Sequence, residues 1–261
     1  MNLKKNLIDR QLSVGSWMSL GVPGVAEIMA DAGFDWLVID LEHTAITIRE
    51  AENLIRTVDL KGLPALVRVS ANDPVQIKRV LDAGAHGVLV PSVNSVAEAQ
   101  DAVSASRYPP SGTRGVGLSR AQGYGPRFKE YVERMSDGVV VIAQIEHVTA
   151  IEQLDEILSV PGIDATIIGP YDLSGSVGRP GELEHPDVID LLRRYEEVSR
   201  VAEKAMGYHV IDPTAEALLE KVEAGYTFLA LSTDFLFLGE ACRSEMIRVR
   251  RAIKGEGSEN P

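Results

Sequence analysis

The stretch "DAGFDWLVIDLEH", residues 31 to 43, begins as a helix stop, continues as an apolar strand and ends on Asp40, Glu42 and His43. Its glycine suits the left-handed residue that closes a helix. "DWLVIDL" (35 to 41) is nearly continuously apolar, as a strand buried on both faces must be. The same stop recurs as "DAG" at 82 to 84 and "EAG" at 223 to 225, each ahead of another apolar run. A helix stop followed by a buried strand is the joint of a βα unit, so the question is how many units the chain holds.

Seven further runs read as strands: "VGSWMSL" (14 to 20), "PALVRVS" (64 to 70), "HGVLVPS" (86 to 92), "GVVVIAQIE" (138 to 146), "DATIIG" (164 to 169), "MGYHVI" (206 to 211) and "TFLALST" (227 to 233). Amphipathic segments such as "GVAEIMADAGF" and "AEALLEKVEAGY" lie between them. Eight alternating units favour a (β/α)8 TIM barrel of the α/β class over an open doubly wound sheet. The expected organisation is one barrel over residues 1 to 253, including an additional C-terminal helix, then a disordered tail, "KGEGSENP", at 254 to 261. Residues 104 to 137 break the rhythm. Rich in Gly and Pro, with Arg114, Arg120 and Arg127, they read as a long irregular loop with short helical pieces, a kind of insertion that is usually functional or disordered.

Composition narrows the function. With 45% hydrophobic and 25% charged residues in 261, the chain can form a large core. A formal net charge of −12 repels nucleic acid, and no basic, aromatic-interleaved patch offsets it. Cys242 is the single cysteine, "MNLKKNLIDRQL" lacks the apolar core of a signal peptide, and no run approaches ~18 apolar residues. The expectation is a cytoplasmic protein with no membrane partner.

In a (β/α)8 barrel, chemistry assembles at the carboxyl ends of the strands. Strand two delivers Asp40, Glu42 and His43 there, strand three Arg68, strand five Gln144 and Glu146, and strand six Asp172 through "GPYD". Glu146 and Asp172 would form an oxygen-only site suited to a divalent ion such as Mg²⁺ or Mn²⁺. The same residues also suit plain capping roles, Glu146 for the following helix and Asp172 as an N-cap. Arg68 can grip a carboxylate or a developing oxyanion, or serve a structural ion pair. Among five histidines, His86 sits at a strand's amino end, His185 in a loop, His147 beside Glu146, and His209 reads as a packed strand residue. His43 remains the best-placed general base. All eight lysines, Lys221 among them, fall in tails, helices or loops, which argues against a Schiff-base mechanism. Phosphate loops, nucleophile elbows and zinc spacings are absent.

The stretches "AGFDWLVIDLEH", "VRVSANDPVQIKRVLDAG", "LVPSVNSVAEA", "RYPPSGTRGVG", "QIEHVTAIEQLDEIL", "IIGPYDLSGSVG" and "GYTFLALSTD" occur in order from about residue 7 to 241. Together they resemble the HpcH/HpaI aldolases, class II enzymes with a phosphoenolpyruvate/pyruvate-domain-like barrel. The resemblance implies metal-dependent cleavage of a 4-hydroxy-2-oxo acid to pyruvate and an aldehyde, with Mg²⁺, Mn²⁺ or Co²⁺ as cofactor. It assigns the metal to Glu146 and Asp172, enolate stabilisation to Arg68, a base acting through water to His43, and contact with the pyruvate half to Gln144. It also pairs the histidine with Asp82. A residue at a helix end belongs to the opposite face of the barrel, so Asp82 would have to come from another subunit, in keeping with the homohexamers the family forms.

Two departures mark this chain: Leu41 where well-known members have glycine in Asp-Gly-Glu-His, and Tyr171 where many have alanine in Gly-Pro-Ala-Asp. The resemblance implies that the backbone N–H at Tyr171 receives the substrate carboxylate. The same site chemistry would also serve oxaloacetate decarboxylation or a citrate-type condensation. Substrate preference is expected to depend on the 104 to 137 segment and on neighbouring subunits.

Overall fold

A computed structural model describes residues 2 to 134 and 138 to 254. Eight parallel strands close on themselves in sequence order: β1 (Ser13–Met18), β2 (Trp36–Asp40), β3 (Ala65–Arg68), β4 (Gly87–Val90), β5 (Val140–Ile145), β6 (Ala165–Ile168), β7 (Ala205–Val210) and β8 (Phe228–Thr233). Every strand read from the sequence is present, its ends within two residues of the reading, with β1 and β7 beginning one residue earlier. The helices are α1 (Leu3–Ile8), α2 (Pro23–Ala30), α3 (Ile48–Leu60), α4 (Pro74–Asp82), α5 (Val96–Ser106), α6 (Phe128–Arg134), α7 (Val148–Glu152), α8 (Leu154–Leu158), α9 (Pro170–Ser176), α10 (Pro186–Val201), α11 (Ala215–Glu223) and the additional C-terminal helix α12 (Asp234–Lys254). The stop glycines adopt the left-handed conformation their motif requires, with φ of 95° at Gly33, 101° at Gly84 and 95° at Gly225. Lys254 still belongs to α12, and the rest of the expected tail, 255 to 261, lies outside the described residues, as do 135 to 137 of the irregular segment. Among the described residues no helix is long and apolar enough to cross a membrane.

Alternation along the strands sorts the apolar residues into two cores. The outer one lies between the barrel and its helices, and the inner one fills the barrel with Trp17, Trp36, Leu66, Leu89, Ile142, Ile167 and Phe228 among others. Trp36 and Phe228 stack with ring centroids 4.2 Å apart. That stack reaches across β1 only because position 15 is glycine: a Cβ there would lie 2.1 Å from the Trp36 ring. Helix α1, unforeseen in the sequence reading, plugs the amino-terminal end by inserting Leu3 and Leu7 into the inner core. Lys4 anchors it, donating to the Val139 carbonyl at 2.9 Å and pairing with Asp164 at 3.2 Å.

At the seam, the β1–β8 register shifts between Gly15 and Trp17, and Ser232 takes φ of 51°. The bulge brings Asp234 round to accept the Ser19 and Leu20 N–H groups, its Oδ2 at 3.0 and 2.8 Å, so the last strand fastens the loop after the first.

Gly15→Ala is expected to cost about 1–3 kcal/mol of unfolding free energy by overpacking against Trp36. Gly24→Ala, in α2 with no atom within 4 Å of the added Cβ, should be neutral or slightly stabilising. Urea unfolding of the two variants in parallel checks the pair.

Candidate active site

His43, Arg68, Gln144, Tyr171 and Asp172 line one cavity of about 420 Å³ at the carboxyl ends of the strands. Closure of the barrel therefore gathers side chains that the sequence places more than a hundred positions apart.

Arg68 is the centre of this mouth. β2 and β3 pair in register with Asp40 opposite Arg68. The two side chains then meet in a fork: Nε donates to Asp40 Oδ1 at 2.8 Å and Nη2 to Oδ2 at 2.7 Å. The guanidinium lies 4.2 Å from the Trp17 ring centroid. Its remaining nitrogen, Nη1, stands 3.2 Å from Glu42 Oε2 and 3.5 Å from Gln144 Oε1. Asp40 does more than hold Arg68. Oδ1 also accepts the N–H of Glu42 at 3.0 Å and of His43 at 3.4 Å, wrapping the strand's exit round the carboxylate. Leu41 turns outward into the apolar core, and His43 stands at the rim, its side chain 62% exposed and Nε2 3.6 Å from Glu42 Oε2.

Glu146 sits behind Gln144 and is 5% exposed. Oε1 accepts from Ser92 N–H at 2.7 Å and from Ser92 Oγ at 2.9 Å, while Oε2 receives Gln144 Nε2 in a close contact. Ser92 holds a left-handed conformation, φ 52°, to aim its N–H at the carboxylate. That backbone strain is characteristic of functional sites. A Cβ at Gly169 would come within 2.9 Å of Glu146 Oε2, so glycine at this position keeps that oxygen clear. The capping alternatives fail: His147 is the N-cap of α7, and Gly169 is that of α9, with Asp172 in the first turn.

The donor set is suited to a hard divalent ion. Asp40, Glu42 and Glu146 place three carboxylates near Arg68 at the inner end of the mouth, and Glu42 Oε2 is buried with no hydrogen-bond partner beyond its 3.2 Å ion pair with Arg68 Nη1. Burial pushes the Glu42 carboxyl up, Arg68 pulls it back, and Glu146 adds to the rise. Surplus negative charge of this kind favours a bound cation. Among the described residues no three carboxylate, imidazole or thiol groups converge on a metal position. An ion here would take two carboxylates, Glu146 and Asp172, and complete its shell with water and substrate oxygens.

Two sequence expectations need correction, those for the 104 to 137 segment and for Lys221. Asp82 lies away from the mouth of its own chain, at the face its helix end implied. It ends α4 at the amino-terminal face, where it accepts from Arg114 Nη2 at 2.7 Å, because helices run antiparallel to the strands and deliver their ends to the opposite side. The described part of the 104 to 137 segment shares that face: Ser119 Oγ donates to the Asp82 carbonyl at 2.9 Å, and Arg120 pairs closely with Asp59. None of its described residues lines the cavity of the same chain. Lys221 does belong to a helix, yet its side chain lines the cavity's outer part with Tyr208, Asp212 and Glu220. Trp17, Ser92 and this outer wall were not singled out from the sequence; for Trp17 the available signal is the alternation of inward and outward residues along β1.

His209 also borders the cavity, packed as expected: its ring lies 5.3 Å from Trp17, and Nε2 is 3.0 Å from the Ser232 carbonyl. Burial pushes the imidazole down to about 4.

A model of the HpcH/HpaI aldolase/citrate lyase family matches residues 13–241. The chain belongs to this family. The HpcH/HpaI relatives include a 2-dehydro-3,6-dideoxy-6-sulfogluconate aldolase of Pseudomonas putida, 38% identical over 251 residues, 95% of this chain and 96% of the relative. A 2-keto-3-deoxy-L-rhamnonate aldolase of Klebsiella pneumoniae is 38% identical over 241 residues, 91% of this chain and 89% of the relative. Among solved structures, an HpcH/HpaI aldolase/citrate lyase family protein from Burkholderia cenocepacia superposes with a TM-score of 0.90 at 35% identity, covering 96% and 100% of the two chains.

His209 supplies a pH prediction. The unfolded chain takes up its proton near the ordinary value of 6.5 and the folded chain only near 4. Its contribution to stability is therefore complete above pH 6.5 and is lost as pH falls through that interval. The thermal midpoint should fall more steeply between those values in the native protein than in His209→Gln, measured by circular dichroism melts.

Proposed function

We propose that this protein is a divalent-metal-dependent aldolase, a carbon–carbon lyase that reversibly cleaves a 4-hydroxy-2-oxo acid to pyruvate and an aldehyde through an enolate. The observation that carries the reading is Arg68, half-buried and immobilised by Asp40, with Nη1 outside that fork and turned toward Gln144 and Glu42 at the mouth. The aldolase relatives support it.

Glu146 and Asp172 would hold a divalent ion, Mg²⁺, Mn²⁺ or Co²⁺, which would supply positive charge to polarise the 2-oxo acid. Gln144 and the Tyr171 backbone N–H hold the pyruvate half. His43 takes the proton of the 4-hydroxyl, a water relaying it, as the C3–C4 bond breaks. The bonding pair moves into C2–C3, the 2-oxo oxygen becomes an enolate, and C4 leaves as the aldehyde carbonyl. Arg68 Nη1 donates to that oxygen where charge develops, and its fixed geometry requires no reorganisation during the step. Protonation at C3 then yields pyruvate. Since Asp82 lies at the opposite face of its own barrel, it could act on His43 only from a second copy. We extend the proposal to a cytoplasmic homohexamer, which light scattering on purified protein tests.

Chelator treatment should abolish pyruvate release, and added Mg²⁺ or Mn²⁺ should restore it; undiminished activity in metal-stripped protein overturns the metal-dependent reading. Arg68→Lys, which keeps the charge but loses the fork, should lower kcat/KM about 10²–10³-fold with little change in melting temperature. Arg68→Ala should in addition destabilise by about 3–5 kcal/mol, because it leaves Asp40 buried without its partner.

A further inference from the structure

The residues assigned to the pyruvate half occupy only the inner part of the cavity. A lobe continues outward between the β6–α9 and β7–α11 units, lined by Tyr171, Tyr208, Asp212, Glu220 and Lys221. On α11, Ala217, Glu220 and Lys221 fall at i, i+3 and i+4, so one helix face looks onto the lobe. Lys221 Nζ lies 4.9 Å from the Tyr208 ring centroid and 2.7 Å from Glu220 Oε1, held between an aromatic face and a carboxylate.

The charges of this lobe exclude one kind of ligand and suit another. Lys221 contributes +1, and Glu220 and Asp212 contribute −1 each, leaving −1, with Asp172 at the inner edge adding further negative charge. The ammonium is already answered by Glu220, so a carboxylate, sulfonate or phosphate at the far end of a substrate would meet surplus negative charge. Hydroxyl groups both donate and accept, and a wall carrying carboxylates, an ammonium and phenols can serve them without a net charge. The apolar parts of Tyr208 and Ile211 offer contact to the carbon chain between hydroxyls.

We propose that this lobe is the acceptor subsite and that it selects neutral, hydroxylated aldehydes while discriminating against anionic ones, with Asp212, Glu220 and Lys221 as the specificity-determining residues. The inference rests on the aldolase reading above and extends it to the aldehyde half. It sets this chain apart from the relative from Pseudomonas putida, whose named substrate carries a terminal sulfonate.

The test joins pyruvate to three aldehydes with the metal-loaded native protein: glyceraldehyde, neutral and hydroxylated; propanal, with no hydroxyl; and succinic semialdehyde, anionic at its far end. Glyceraldehyde should exceed each of the others in kcat/KM by about tenfold or more. In Asp212→Asn/Glu220→Gln the ratio of succinic semialdehyde to glyceraldehyde should rise about tenfold, and in Lys221→Met the ratio of glyceraldehyde to propanal should fall by several-fold. Ratios measured on one preparation cancel general losses of activity or folding. Exchange of the pyruvate methyl protons in D₂O, followed by NMR without any aldehyde, reports the enolate step alone. Exchange accompanied by succinic semialdehyde performing as well as glyceraldehyde, or by ratios the substitutions do not move, overturns the subsite and leaves the aldolase reading standing. Lack of exchange in the native protein overturns both.

Discussion

The fork between Arg68 and Asp40 is the interaction on which the rest of the mouth depends. A buried carboxylate is stable only when its partner's geometry satisfies it, and the pairing of β2 with β3 provides that geometry by setting Asp40 and Arg68 side by side at the strand ends. Trp17 closes the guanidinium from one side. Asp40 then draws the backbone of Glu42 and His43 round itself, so one carboxylate fixes an arginine and the chain segment bearing the imidazole. A one-residue slip of β2 against β3 would part the charges and turn His43 away from the cavity.

Around this fork the protein accumulates negative charge. Glu42 and Glu146 face the same small volume, and Ser92 accepts a left-handed backbone to hold one of them. Such an arrangement detracts from stability, as functional sites commonly do, and is understandable where a cation and an anionic oxygen are to be bound together. The outer wall has a different character, since Lys221 and Glu220 largely neutralise each other there. The cavity therefore combines an inner region built for charge and an outer one built for hydrogen bonding.

The two ends of the barrel are specialised in opposite ways. At the amino-terminal end, α1 plugs the inner core, and the segment after α5 packs against the ends of α3 and α4 through Arg120 and Arg114. These arginines, conspicuous in the sequence, are committed to carboxylates of the scaffold, whereas Arg68 is committed to one at the mouth.

Strand existence, order and polarity were legible because buried parallel strands must be apolar throughout and each must follow a helix stop. The stops after residues 32, 83 and 224 carry their own left-handed glycines. The polar strand ends were legible for the same reason: Arg68, Gln144 and Glu146 interrupt runs that are otherwise apolar. Which of them touch was not legible, because contact depends on register and stagger round a closed sheet, quantities no single strand encodes. Hence the sequence offered Asp40 no partner although its carboxylate binds Arg68, and Lys221 reads as a helix residue away from the site although its ammonium reaches the cavity wall. The sequence by itself determined the barrel and the end at which its chemistry gathers; only the tertiary structure decided the partners, since closing the sheet brings together ends that the chain keeps far apart.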